Sequence, residues 1–253
     1  MRKDNLGDRM KKYENAYRHY LPERMPVLIR IDGCHFHSYT KGMQKPFDKD
    51  LANAFWETAK YLAKNINGCK LAYHQSDEIT LLLVNYERIN TQSWFDNNIQ
   101  KITSVVASMA TVKFNEVMKE KYPEKEPATF DARTWILPQN EVMNAFLWRQ
   151  NDATRNSISM VGQANFPQKE LQNVSSKELQ DKLFIEKSIN WNKLPVWQKR
   201  GVCIRKEEYE KQLPNGSSVT RSRWIVDHDI PIFTKNTEYI NQYVYPKKEV
   251  ITS

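Results

Sequence analysis

Residues 26–42, PVLIRIDGCHFHSYTKG, decide how this chain is read. Val27, Leu28, Ile29 and Ile31 form the short aliphatic, partly β-branched run of a buried strand, and it stops at Asp32-Gly33. A carboxylate therefore stands where a core strand runs out. Gly33 has no Cβ, so the backbone there can turn sharply or approach a phosphate closely, and 34–42 follows as a polar loop. An Asp-Gly turn that merely ends a strand is the plainer reading; a metal and triphosphate site is the functional one.

Downstream, Asp48 can cap a helix whose apolar stripe is Leu51, Phe55, Ala59 and Leu62, ending near Asn67-Gly68. Residues 70–75 and 79–85 read as a hairpin with Gln75-Ser76-Asp77-Glu78 as its turn. Ile102, Val105, Met109 and Val112, with Val106 and Val117, mark a long helix that ends before the 123–127 segment, and 130–137 is a further strand. Upstream, Leu6, Met10, Tyr13 and Tyr17 lie at helical spacing, which predicts a short amphipathic helix over 6–20 packed on the main body.

Strand, helix, hairpin, helix, strand is an α+β order, the split βαβ or ferredoxin-like plan. In that plan the first and third strands are antiparallel neighbours, so Asp32 meets Asp77-Glu78. Two carboxylates beside a backbone carbonyl supply the hard oxygen ligands that magnesium takes, and a two-metal site can activate one oxygen while stabilising another. Two polar turns at one sheet edge are the alternative.

From Glu141 the chain changes character. Val142, Phe146 and Leu147 continue a helix into Trp148-Arg149-Gln150, followed by a polar stretch at 151–156. Ser175 with Glu178 matches a capping box for a helix over 177–187. Strand signals return at 201–205 and 219–226, with Asn215-Gly216 as a hairpin turn. Residues 1–137 thus read as an N-terminal helix with a catalytic domain, and 138–253 as a helical and β-hairpin extension packing on it. Lys199, Arg200, Arg205, Lys206, Arg221 and Arg223 cluster in the extension, interleaved with Trp197, Tyr209 and Trp224. That mixture suits RNA, and suits equally a solvated β-ribbon.

Lys plus Arg total 38 against 30 Asp plus Glu, giving +8 over 253 residues, a balance that admits polyanionic partners. Cys34, Cys69 and Cys203 have no paired spacing, so neither a disulfide framework nor a zinc knuckle is expected. No apolar run approaches membrane-spanning length, and a soluble, cytoplasmic protein is the expectation.

Several of these stretches together resemble the tRNA-His guanylyltransferase family, whose members add nucleotides in the 3′-to-5′ direction on a polymerase-type palm. The matching residues are Arg30-Ile31-Asp32-Gly33 with Phe36-His37, Lys45-Pro46, Ala72-Tyr73-His74-Gln75-Ser76-Asp77-Glu78, Phe130-Asp131-Ala132-Arg133, and Trp148-Arg149-Gln150 through Asp152, in the family's order. Weaker similarity runs on through Leu194-Pro195 to Gly201 and through Thr220-Arg221-Ser222-Arg223.

The resemblance implies that Asp32 and Asp77 hold two magnesium ions (Mg2+) with the Gly33 carbonyl, and that Glu78 supports them as a third catalytic acid. It implies a nucleoside triphosphate, GTP or ATP, cradled by Gly33, Cys34, His35, Phe36, His37, Lys45, Ser76 and Asn156. Arg30, Lys101, Arg133, Arg149 and Lys182 become contacts to phosphate or to the tRNA end. For His35 and His37 a His-x-His metal pair is conceivable; a packed or phosphate-facing pair is preferred, because an oxygen-rich site needs no imidazole. A homo-tetramer is the family's common assembly.

Two departures set the branch. Thr154-Arg155-Asn156-Ser157 stands where eukaryotic members carry His-Ile-Asn-Asn, and Trp94-Phe95 precedes Asp96-Asn97-Asn98 with only Lys101 basic. Both fit the family's guanylyltransferase-like branch, which resembles a template-directed polymerase that refills truncated tRNA 5′ ends. Cys34 stands where Arg is usual, which removes one phosphate contact that the resemblance would otherwise imply. A tRNA-His-specific guanylyltransferase is the alternative. A dinucleotide or nucleotidyl cyclase shares such a palm, but the long 148–229 region argues against it. A non-catalytic RNA-binding module shares the split βαβ plan, but would carry aromatics where these strands carry aliphatics and end in acids.

Overall fold

The computed structural model describes residues 5–88, 90–214 and 216–245. The elements in chain order are α1 (Asn5–Asn15), β1 (Val27–Gly33), α2 (Phe36–Tyr39), α3 (Lys49–Asn65), β2 (Cys69–Gln75), β3 (Glu78–Leu83), α4 (Ile99–Lys121), β4 (Phe130–Ile136), α5 (Gln139–Asn165), α6 (Ser176–Lys187), α7 (Val196–Arg200), β5 (Val202–Gln212), β6 (Ser218–Asp227) and α8 (Glu238–Val244). The six strands form one sheet in the order β4-β1-β3-β2-β5-β6, every neighbouring pair antiparallel. Its first four strands take the order that the split βαβ reading requires.

Alternation along β1 sorts the two faces. Ile29 and Ile31 point into a core with Phe55 of α3, Phe114 of α4 and Leu81 of β3. Leu28 points the other way, into a core with Tyr73, Leu82, Phe146 of α5 and Phe233. Arg30 and Asp32 share the Leu28 side and so stand on the face that α5 and α8 cover in part. A third cluster, with Ile158, Val161, Leu179 and Leu183, seats α6 on the second half of α5. The extension is not a separate layer, because β5 pairs with β2 through Val202↔His74 and Leu71↔Arg205 and so widens the same sheet.

Three expectations change. The polar stretch at 151–156 does not end a helix but lies inside α5, which is 27 residues long. Arg149 and Arg155 both pair with Asp152 three residues away, and Gln150 turns inward to Pro231 and Phe233, which keeps the polar turns helical. The ribbon of β5 and β6 is longer than expected, since cross-strand pairs continue to Gln212↔Ser218; Asn215 of its predicted turn lies outside the described residues. The N-terminal helix forms but ends at Asn15 and buries none of its residues, so it does not pack on the body along its length. Leu6, Met10 and Tyr13 stay exposed, and beyond the helix Tyr20 bridges Asn98 and the Leu21 N–H donates to the Asn97 carbonyl at 3.0 Å. Among the described residues, no helix is long and apolar enough to cross a membrane.

Candidate active site

The end of β1, the β2–β3 turn and the start of β4 meet at one edge. The Gly33 N–H donates to the Asp77 carbonyl at 3.0 Å, and the Cys34 N–H to the Thr129 carbonyl at 2.8 Å. Asp32 is in register with Glu78 on one side and Asp131 on the other. Glycine is required at 33 because a Cβ there would fall 2.2 Å from the Phe36 ring, which is buried among Phe55, Phe114 and Phe130. The loop is thus drawn back onto the core at the point where the acids converge.

His74 shapes the β2–β3 turn. Its Nε2 lies 3.0 Å from the Ser76 carbonyl, which can only accept, so Nε2 carries the proton and donates. Burial pushes the His74 pKa down to about 4, the Ser76 bond opposing, and the ring stays neutral, stacked on Phe55 at 4.8 Å. That bond supports Ser76 at φ 53°, in the left-handed region, and Ser76 in turn aims Asp77 toward Asp32.

The carboxylates at this edge have different surroundings. Burial, and after it the charge of Asp32, raises the Asp77 pKa above the usual carboxylate range. Two acids that repel each other in this way, beside backbone carbonyl oxygens, fit a hard divalent cation, which would offset the repulsion. Among the described residues, no three His, Cys, Asp or Glu side chains gather as a cage, so further ligands would be carbonyls, water and phosphate, as magnesium favours. Glu78 is turned to other partners. Its carboxylate accepts from Arg149 Nε at 2.8 Å and lies 3.7 Å from Arg30 Nε; burial raises its pKa, with Arg149 opposing. Arg149, buried, also donates from Nη2 to Asp152 at 2.8 Å, so two carboxylates hold its guanidinium. Arg133 is half exposed, pairing with Asp131 at 3.1 Å and reaching Asp32 at 3.9 Å.

Beside the acids opens a cleft of about 530 Å3 lined by His37, Lys45, Ser76, Asp77, Met160 and Gln163. That volume suits a nucleotide. A smaller pocket of about 90 Å3 adjoins it, lined by Ser76 of the β2–β3 turn and Asn156 of α5. The outer wall is fixed by Asp48. Its side chain caps α3 through the Leu51 N–H at 2.9 Å, and accepts from the Gln44 N–H at 3.1 Å and the Tyr122 hydroxyl at 2.6 Å. Lys125 closes the same wall by donating to the Tyr39 and Lys41 carbonyls at 2.6 and 3.0 Å.

The structure therefore gathers Asp32, Gly33, Phe36, His37, Lys45, Ser76, Asp77 and Asn156, with Arg30, Arg133 and Glu78 on the adjoining face. His35 is exposed at the start of α2, and Cys34 Sγ lies 4.0 Å from Asp131. Lys101 is not brought in: it sits on the first turn of α4, while the residue after that helix, Tyr122, reaches the cleft wall, so roughly 30 Å of helix separates them. Lys182 lies on α6, paired with Glu170 at 2.7 Å and set over the Phe166 ring. Sequence reading missed Met160 and Gln163; the signal was their spacing of four and seven residues after Asn156 on one helix face.

A family model described as tRNAHis guanylyltransferase matches residues 7–138. A bacterial tRNA(His) guanylyltransferase (Thg1)-like protein, solved in complex with ATP, superposes with a TM-score of 0.89 at 65% identity, covering 95% of this chain and 99% of its own. A bacterial protein of the same description, in complex with GTP, gives a TM-score of 0.81 at 61% identity, covering 96% and 100%. A probable tRNA(His) guanylyltransferase of Dictyostelium discoideum is 27% identical over 219 residues, 80% of this chain and 84% of that protein.

Proposed function

The chain belongs to the tRNAHis guanylyltransferase family, as a nucleotidyltransferase of its guanylyltransferase-like branch, and on that premise we propose that it adds nucleotides in the 3′-to-5′ direction to truncated tRNA 5′ ends, copying the opposite strand. The observation that carries this reading is the convergence of Asp32, Gly33 and Asp77 beside a cleft of nucleotide size. The ATP and GTP complexes of the bacterial relatives support a triphosphate in that cleft. Thr154-Arg155-Asn156-Ser157 supports the repair branch.

In the proposed reaction the tRNA 5′ end is first activated, by adenylylation from ATP or as an existing triphosphate. The 3′-hydroxyl oxygen of the incoming nucleotide bonds to the activated phosphorus, its proton leaves to solvent, and AMP or pyrophosphate departs. Asp32 and Asp77, with the Gly33 carbonyl, would hold two magnesium ions, which supply the charge that acidifies the hydroxyl and steadies the triphosphate. The chain's own part is positioning. Lys45 and His37 meet the triphosphate's negative charge along the cleft, and Ser76 and Asn156 offer hydrogen bonds where the smaller pocket joins it. Arg133, exposed beside Asp32, receives the tRNA 5′-phosphate. Glu78 keeps Arg149 and Arg30 fixed beneath it. The sheet with α3 and α4 behind it then serves as a polymerase-type palm, residues 138–253 meet the tRNA, and a homo-tetramer is the proposed assembly.

The test is addition to labelled tRNA, comparing a tRNA lacking its first 5′ nucleotide with full-length tRNA-His, with magnesium, ATP and all four NTPs. Extension of the truncated tRNA is expected, and Asp32→Ala or Asp77→Ala should lower it by roughly 10²–10³-fold or more with the circular dichroism spectrum unchanged. Guanylate addition confined to tRNA-His would replace the repair reading with the guanylyltransferase one.

A further inference from the structure

One large aromatic side chain beside the acids is left open to solvent. Trp148, on α5, is 52% exposed, an unfavourable placement for an indole. Its ring is nonetheless held. The guanidinium carbon of Arg149 lies 4.3 Å from its centre and that of Arg30 5.6 Å away. Both arginines are themselves fixed, Arg149 by Glu78 and Asp152 and Arg30 beside Glu78. The indole is therefore an exposed surface on a rigid support.

Its position gives that surface a use. Arg30 precedes Asp32 by two residues on the same side of β1, about 7 Å along the strand. The nucleotide cleft approaches the acids from the other direction, from the 36–46 loop and the β2–β3 turn. A reaction that joins two substrates at Asp32 and Asp77 needs a second approach, and the open face carrying Arg30, Arg133 and Trp148 is one. Arg133 can take a phosphate there, but a phosphate contact alone leaves the terminal nucleotide free to rotate.

We infer that Trp148 is the stacking platform for the base of the tRNA 5′-terminal nucleotide, an inference that rests on the tRNA-end reading above. Every base has a π face, so stacking orients the terminal nucleotide without selecting its identity. That tolerance suits an enzyme whose substrate can end in any of four bases. The ordering of the indole by Arg30 and Arg149 gives it the rigidity that a platform requires.

The experiment uses the full chain as wild type, Trp148→Ala and Trp148→Phe, with a truncated tRNA and the same tRNA made abasic at its 5′-terminal nucleotide. On the intact tRNA, Trp148→Ala should raise KM for tRNA on the order of 10- to 100-fold, leave KM for the NTP unchanged, and be largely rescued by Trp148→Phe. On the abasic tRNA, wild type and Trp148→Ala should converge. An equal loss on both tRNAs, a loss carried by the NTP, or no loss would each overturn the inference. Should the wild type extend no tRNA, the repair reading falls instead, and filter binding of the same two tRNAs still decides whether Trp148 senses the terminal base.

Discussion

Within the site, neighbouring side chains do different work. Glu78 follows Asp77 directly, yet its carboxylate is engaged by Arg149 and Arg30. Glu78→Ala should destabilise the fold by about 3 kcal/mol, because it strips Arg30 of its ion-pair partner and leaves the buried Arg149 with Asp152 alone; urea titration measures this, and a change under 1 kcal/mol would contradict it. His74 makes a pH-dependent contribution whose sign follows from its pKa. The folded value, about 4, lies below the ordinary 6.5, so the native state favours the neutral ring. Its stabilisation is complete above pH 6.5 and is lost as pH falls from there to 4, an effect of roughly 3 kcal/mol. His74→Phe should keep the stack on Phe55, lose the Ser76 bond, and flatten that part of the stability profile, as thermal melts between pH 4 and 7.5 would show. Asp32 and Asp77 were legible in the sequence because an acid at the end of an aliphatic run and an acid in a hairpin turn are both local signals. The Glu78–Arg149 pair was not, since it joins residues 71 apart whose meeting depends on how α5 crosses the sheet.

The elements legible in advance were those with clean periodicity. β1 and the β2–β3 hairpin read correctly to within two residues, and the capping box placed α6, where Ser175 and Glu178 bond reciprocally. The continuity of α5 through 151–156 was hidden by its polar composition, since the pairings that keep it helical are visible only in three dimensions. The N-terminal helix misled for the opposite reason: periodicity reports an apolar stripe but not whether anything covers it. The joint between β2 and β5 was equally unreadable, and it carries a prediction. Gly201 has φ +79°, and a Cβ there would meet the His74 carbonyl at 2.3 Å. Gly201→Ala should cost roughly 1–3 kcal/mol and, by pushing on the strand that ends in the Ser76 turn, raise KM for the NTP. Loss of stability with an unchanged KM would show that the turn is insulated from this joint.

Across the whole molecule, the proposed reaction asks one sheet to serve two substrates. α3, α5, the β2–β3 turn and residues 36–46 build the cleft, while the open face of β1 and β4 offers the second approach to the same acids. The net charge of +8 and the exposed arginines of the β5–β6 ribbon suit a long polyanion. Affinity for tRNA should therefore fall steeply with salt, and Arg221→Ala should lower the magnitude of the log–log slope by about 1 with KM for the NTP unchanged; an unaltered slope would remove the ribbon from the interface. The central claim, templated addition at a tRNA 5′ end, is tested most directly by changing the template. A tRNA lacking its first nucleotide is prepared with each of the four bases at the opposing position and offered all four NTPs with magnesium. The nucleotide added should follow Watson–Crick pairing with the opposing base in every case. Addition of G whatever base lies opposite would contradict the claim and mark the chain as a guanylyltransferase without a template.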